Sequence, residues 1–171
     1  AMSQQMRGLV ESLLELARVD AGRAQDAQTE LDLSALVNDA LLPFEPVLFE
    51  AGHTLTARVE DGIRVRGNAA QLRQVVEILL DNARKALDAG GRILLEGTQA
   101  EGGYCILVTD NGRGIAPEDL NRITEPFYMA DKSRSRAEGG AGLGLALCKT
   151  IAAFHGGSLS FASQEGLGTT V

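Results

Sequence analysis

Three groups of residues combine types and spacings that suit nucleotide chemistry. The first is Asp110-Asn111-Gly112-Arg113-Gly114-Ile115, which follows the apolar run Tyr104–Val108. A carboxylate at a strand end accepts a hydrogen bond from an exocyclic amine such as that of adenine and repels the carbonyl that guanine presents there. The adjoining glycines let the backbone approach a flat ring and take positive φ. Alone, Asp-Asn-Gly is also an ordinary turn sequence. The second group is Asn82 with Lys85. An amide oxygen is a hard neutral ligand that helps hold Mg²⁺ while phosphate and water oxygens complete the shell, and a lysine one turn along counters phosphate charge. The same two residues also suit a solvated helix face. The third group is Gly139-Gly140-Ala141-Gly142-Leu143-Gly144-Leu145, preceded by the basic run Lys132-Ser133-Arg134-Ser135-Arg136. It lacks the Lys-Ser/Thr ending of a Walker A loop and does not follow a strand as a dinucleotide fingerprint does. What remains is phosphate held by N–H groups around Leu143, Gly144 and Leu145, at the positive end of a helix.

Each group needs an element to hold it. A helix is predicted over 68–87, with Asn68 and Gln71 as a start resembling a capping box and Ala89-Gly90-Gly91 as its stop. At 100° per residue, Leu72, Val75, Val76, Leu79, Leu80, Ala83 and Leu87 share one face. Asn82 falls at the margin of that face, with Ile78 four residues before it and Lys85 three after. Strands are expected over Arg92–Thr98 and Tyr104–Thr109, a last helix from about Gly142 to Phe154, and strands near 158–162 and 169–171. Upstream, Ser34 reads as the N-cap of a helix carrying Leu36, Val37, Ala40, Leu41 and Phe44, with Pro43 and Pro46 disturbing its end. Leu55, Ala57 and Val59, then Ile63 and Val65, read as two strands around the turn Asp61-Gly62. Strands clustered with a few helices give a two-layer α/β sandwich. Met6, Leu9, Leu13 and Leu16, with Val10 and Ala17, form an apolar stripe that suits a helical bundle. Ala21-Gly22 ends it, and 23–30 is a polar linker.

With 171 residues and 44% hydrophobic composition, the chain has enough apolar material for one domain's core. A net charge of −7 and a pI near 4.8 argue against nucleic acid or anionic membrane as partner, so a phosphate ligand must meet local positive charge. No stretch reaches about 20 uncharged apolar residues and no signal peptide opens the sequence, which makes this a soluble piece. Cys105 and Cys148 lie in apolar patterns without metal-ligand spacing and are expected to be reduced, buried and cytosolic.

In order, these residues resemble the catalytic and ATP-binding domain of bacterial two-component sensor histidine kinases, within the gyrase, chaperone and mismatch-repair ATPase superfamily. Leu79 to Lys85 resembles the family's N box, Asp110 to Ile115 its G1 box, Glu125-Pro126-Phe127-Tyr128 its F box, Gly140 to Leu145 its G2 box, and Gly166-Leu167-Gly168-Thr169 its last glycine box. The resemblance implies a Bergerat-type fold, a mixed sheet packed on helices, over 31–171. Residues 1–22, with Ala1-Met2 as a cloning remnant, would be the end of a dimerisation-domain helix. ATP and Mg²⁺ would be the cofactors, with Asn82 on the metal and Lys85 facing the phosphates. Asp110, Gly112, Gly114, Ile115, Phe127, Gly140, Gly142, Leu143, Gly144, Leu145 and Thr169 would surround the nucleotide. The segment from Phe127 to Gly139 would close over it, with Lys132, Arg134 and Arg136 as candidates to counter phosphate charge. The implied partners are the dimerisation domain of the same kinase and a response regulator. The implied parent is a homodimer anchored in the bacterial inner membrane, this piece being cytoplasmic.

Two departures from the family pattern matter. Ile78 stands where the family often has a second Asn and related ATP hydrolases have a catalytic Glu, and Glu77 lies about 140° round the helix from Asn82. Transfer is therefore expected rather than hydrolysis. The only histidines, His53 and His155, match strand and helix ends and are expected to be structural, so the phosphate-accepting histidine would belong to the dimerisation domain. A non-catalytic nucleotide-sensing module and a serine-directed kinase of the same superfamily are the alternatives.

Overall fold

The computed structural model describes residues 14, 17, 28–130 and 142–171. Leu14 and Ala17 are helical and exposed; the rest of the expected bundle helix, and the linker up to 27, lie outside the described residues. The elements run β1 (Thr29–Asp32), α1 (Leu33–Leu41), α2 (Phe44–Glu50), β2 (Thr54–Val59), β3 (Arg64–Gly67), α3 (Ala69–Ala86), β4 (Arg92–Ala100), β5 (Gly103–Asp110), the single turn α4 (Pro117–Leu120), α5 (Gly144–Phe154), β6 (Ala162–Gln164) and β7 (Gly168–Thr170). Five strands form a mixed sheet in the order β2-β4-β5-β7-β6, and β1 and β3 form a separate ribbon. Helices and sheet make the expected two-layer α/β sandwich. Val37, Ala40, Leu48, Val76, Leu80, Ile93, Leu95 and Val108 are buried together between the layers.

The structure corrects several expectations in the first half of the chain. Asp32, not Ser34, caps α1, its carboxylate accepting from the Ala35 amide at 2.9 Å. Ser34 lies inside the helix, where its hydroxyl donates to the Glu60 carbonyl at 2.5 Å and accepts from the Ile63 amide at 3.0 Å. Pro43 and Pro46 sit at the N-cap and in the first turn of α2, where helical N–H groups have no intrahelical acceptor to lose, so they open a second helix. Thr29 and Glu30 belong to β1 rather than to the linker.

Asp61-Gly62 does turn the chain, with Gly62 at φ 73°, but it makes no hairpin. β2 runs parallel to β4, Thr54 opposite Arg92, while β3 pairs antiparallel with β1, Leu31 opposite Val65. The turn is a local preference; the choice of partner rests on which strands bury Leu55, Val59 and Val65 against the core.

Along β5, Tyr104, Ile106 and Val108 face the core, so Cys105 and Leu107 face outward. Cys105 is consequently exposed, contrary to expectation, because helices cover one face of this strand and alternation sends odd residues to the other. Cys148 is buried as expected, and burial pushes its thiol up to about 12.

Candidate functional site

Helix α3 is the spine of the site. Asn68 caps it, the side chain accepting from the Gln71 amide at 3.1 Å. Leu72, Val76, Leu79, Leu80 and Ala83 are buried, each large side chain contributing roughly 1.5–3 kcal/mol. That anchorage leaves Asp81, Asn82 and Lys85 at the rim, with Asn82 exposed. Lys85 Nζ meets Asp81 Oδ2 at 2.6 Å, and Arg84 Nη2 meets Asp81 Oδ1 at 2.7 Å. Partial burial pushes the Asp81 carboxyl up, but hydrogen bonds and charge from Lys85 and Arg84 outweigh it and hold the group below its ordinary range. Lys85 therefore stands at the rim of α3 with its ammonium directed to a carboxylate of its own helix. Ile78 is half-buried and packs against the second apolar cluster, built on Leu147 and Ile151 of α5.

The Asp110–Ile115 stretch is fastened to the end of α3. The Arg113 amide donates to the Ala86 carbonyl at 3.1 Å, and a β-carbon on Gly112 would stand 2.4 Å from that oxygen. Asn111 locks the stretch to β4, its Oδ1 accepting from the Arg92 amide at 2.6 Å. Asp110 is buried and its Oδ1 accepts from the Gly112 amide at 2.8 Å. Burial pushes this carboxyl above its ordinary value; the Gly112 and Thr169 amides and the Arg113 charge offset part of that rise. Gly114, at φ 72°, passes so close to the Gln164 carbonyl that a β-carbon would stand 2.1 Å from it.

The other glycine segments are held by contacts of their own. The Phe127 amide donates to the Gly142 carbonyl at 2.8 Å, Phe127 taking φ 65° and Gly142 φ 68°. α5 begins at Gly144, two residues later than expected, because Gly142 is left-handed and Leu143 is the cap. Leu143 is buried and makes no side-chain capping bond, so among the described residues no capping side chain occupies the amides of the first turn of α5. Leu145 packs against the main core. Thr169 is buried beside Asp110 in the β5–β7 pairing, its hydroxyl 2.8 Å from Ser163 Oγ.

Asp110, Gly112, Gly114, Ile115 and Thr169 are thus linked to one another and to the end of α3, Gly144 meets α3 at Ile78, and Phe127 pairs with Gly142; Lys132, Arg134, Arg136 and Gly140 lie outside the described residues. Ser163 escaped sequence reasoning. Its hydroxyl accepts from the Ile115 amide at 2.8 Å and lies 3.0 Å from the Gly168 carbonyl, joining two glycine segments. A serine in a short strand carries no signal of that role. Tyr128, which the sequence offers only as the last residue of the F-box motif, is tied down by side chains: its hydroxyl donates to Asp119, which holds the phenol above its ordinary value, and Arg122 stacks 4.2 Å from its ring centroid. Both histidines are structural as expected: His53 Nδ1 accepts from the Gly91 amide at 3.1 Å, and His155 bonds at both ring nitrogens.

Residues 67–171 match the model of the histidine kinase-, DNA gyrase B- and HSP90-like ATPase family. The sensor-like histidine kinase SenX3 of Mycolicibacterium smegmatis is 33% identical over 170 residues, covering 99% of this chain and 44% of SenX3. Sensor protein SrrB of Staphylococcus aureus is 31% identical over 168 residues, covering 98% of this chain and 29% of SrrB. The chain therefore spans less than half the length of either relative. Among solved structures, full-length ShkA in complex with AMPPNP superposes with a TM-score of 0.82 at 28% identity, covering 95% of this chain and 34% of ShkA.

Proposed function

This chain belongs to the histidine kinase-, DNA gyrase B- and HSP90-like ATPase family as the ATP-binding catalytic domain of a sensor histidine kinase, and from that premise we propose that it delivers the γ-phosphoryl group of ATP to a histidine of the kinase's dimerisation domain, for relay to a response regulator. The observation that carries this reading is the junction of Asp110 and Asn82 through one helix end: Arg113 and Gly112 meet Ala86, one turn beyond Asn82. An adenine acceptor and a metal-ligating amide are thereby held on one rigid unit.

The residues present fit Mg·ATP. Asp110 would accept from the adenine amine, with Thr169, Gly112 and Gly114 around it, and the first turn of α5, which Leu143 does not cap, would receive phosphate oxygens. No three His, Cys, Asp or Glu side chains gather as a metal nest among the described residues. A divalent cation would share the Asn82 amide oxygen with phosphate oxygens and water, and would neutralise charge developing on the transferring group. Lys85 would exchange Asp81 for phosphate or bridge both. Lys132, Arg134 and Arg136 are proposed to add charge from the closing segment, and the parent is proposed to be a membrane-anchored homodimer. No helix among the described residues is long and apolar enough to cross a membrane.

The reading is tested by supplying a separate histidine-bearing dimerisation domain and Mg·ATP labelled at the γ position. Acid-labile, base-stable label on that domain is expected. Label confined to serine of a partner, or nucleotide binding without transfer, would favour one of the other two readings.

A further inference from the structure

His155 joins the two helices that carry the metal-ligating amide and the phosphate cradle. A backbone N–H can only donate and a backbone C=O can only accept, so its two partners define its state. Nε2 accepts from the Asn68 amide at 3.1 Å, and Nδ1 donates to the Ile151 carbonyl at 2.8 Å. The ring is therefore the neutral Nδ1–H tautomer. Asn68 is the N-cap of α3, and its amide is the group that a capping-box side chain at Gln71 would satisfy. Gln71 does not do so: its Oε1 is buried with no partner among the described residues. The box expected from sequence is completed from α5 instead. Gly67 makes room for this, since a β-carbon there would stand 2.9 Å from His155 Cδ2.

The bond fixes more than a helix end. α3 and α5 pack antiparallel: Asn68 meets His155, the Val75 carbonyl lies 3.9 Å from Cys148 Sγ, and Ile78 Cγ2 lies 3.0 Å from a β-carbon built on Gly144. Ile78 contributes apolar packing, which is non-directional, and the Cys148 thiol adds a long, weak hydrogen bond to the Val75 carbonyl. The histidine contributes the short directional bond that sets how far α5 slides along α3. That slide sets the separation between Asn82, one turn beyond Ile78, and the first turn of α5 at Gly144.

We propose that His155 is a positioning residue of the nucleotide site, holding the phosphate-binding end of α5 in register with Asn82 through the Asn68 amide; this rests on the nucleotide-binding reading given above. The test uses the 171-residue chain, with ATP affinity measured with and without Mg²⁺. His155→Phe keeps an aromatic ring and removes the acceptor; His155→Gln restores an acceptor. His155→Phe is expected to lose roughly two- to tenfold of the Mg²⁺-dependent gain in affinity, the worth of one hydrogen bond, with metal-free affinity through Asp110 held within about twofold. His155→Gln is expected to recover at least half of that gain. An undiminished gain in His155→Phe, or equal losses in the two variants, overturns the proposal. Should His155→Phe not fold, the native chain decides: coupling is reciprocal, so saturation with Mg·ATP must slow hydrogen exchange at the Asn68 amide, and unchanged exchange overturns the proposal. Absence of nucleotide binding by the native chain would instead overturn the nucleotide-binding reading itself.

Discussion

Gly112 approaches Ala86 so closely that a β-carbon on the glycine would stand 2.4 Å from the alanine's carbonyl oxygen. This contact brings the strand-end carboxylate of Asp110 to the helix of Asn82, and it explains why residue 112 has to be glycine better than any flexibility of the loop does. Gly112→Ala is expected to cost about 1–3 kcal/mol in denaturant unfolding through overpacking, and to weaken nucleotide binding because Asp110 loses its fixed Gly112 amide. Unchanged stability would mean that the Ala86 carbonyl yields freely.

Asp110→Asn keeps the shape and removes the charge. The loss of a charge-assisted hydrogen bond, about 1.5–3 kcal/mol, is expected to lower ATP affinity roughly tenfold to a hundredfold in calorimetry. Because burial raises the Asp110 carboxyl, its contribution to stability is full below the ordinary carboxylate pKa and is lost as pH rises through the raised folded value. Hydrogen bonding to adenine in the proposed site would require the ionised form, so carbon-detected NMR titration is expected to find this carboxyl elevated in the free protein and lower with ATP bound.

For Asn82→Ala, ATP affinities with and without Mg²⁺ are expected to converge. Ile78→Asn adds a second amide one turn before Asn82 while removing an apolar contact with the Leu147–Ile151 cluster. It is expected to steepen the Mg²⁺ dependence and to lower stability by about 1–3 kcal/mol. Equal metal dependence in the native protein and Asn82→Ala would remove Asn82 from the metal site.

Asp81 runs opposite to Asp110. Held low by Lys85 and Arg84, its contribution to stability is present above the ordinary carboxylate pKa and is lost as pH falls through the depressed folded value. Asp81→Asn is expected to flatten the acid side of the stability profile by no more than about 1 kcal/mol, since the partners are partly exposed. It also frees Lys85, so Mg·ATP is expected to bind at least as tightly as in the native protein. Weaker binding would mean that Asp81 itself serves the metal or its water.

Much was legible in the sequence because it rests on local periodicity and on residue type. The apolar face of α3 from Leu72 to Ala83 and its Asn68 cap follow from a repeat of 3.6 residues and from the reach of an Asn side chain, whereas the helix ends at Ala86 with Leu87 extended, before the expected Ala89-Gly90-Gly91 stop. The alternation of Tyr104, Ile106 and Val108 gave β5, and the order of Asn82, Asp110 and the glycine stretches pointed to the family. What the sequence could not decide was pairing at a distance. Whether Asp61-Gly62 makes a hairpin, whether Cys105 faces core or solvent, and whether Gln71 or His155 satisfies the Asn68 amide each depend on which segment arrives from tens of residues away. No window of neighbours contains that information. Tertiary packing settles it, by pairing Val65 with Leu31 and Leu55 with Ile93 while packing both against one core, by leaving the outer face of β5 without helices among the described residues, and by laying α5 along α3 so that an imidazole reaches a helix cap 87 residues away in sequence.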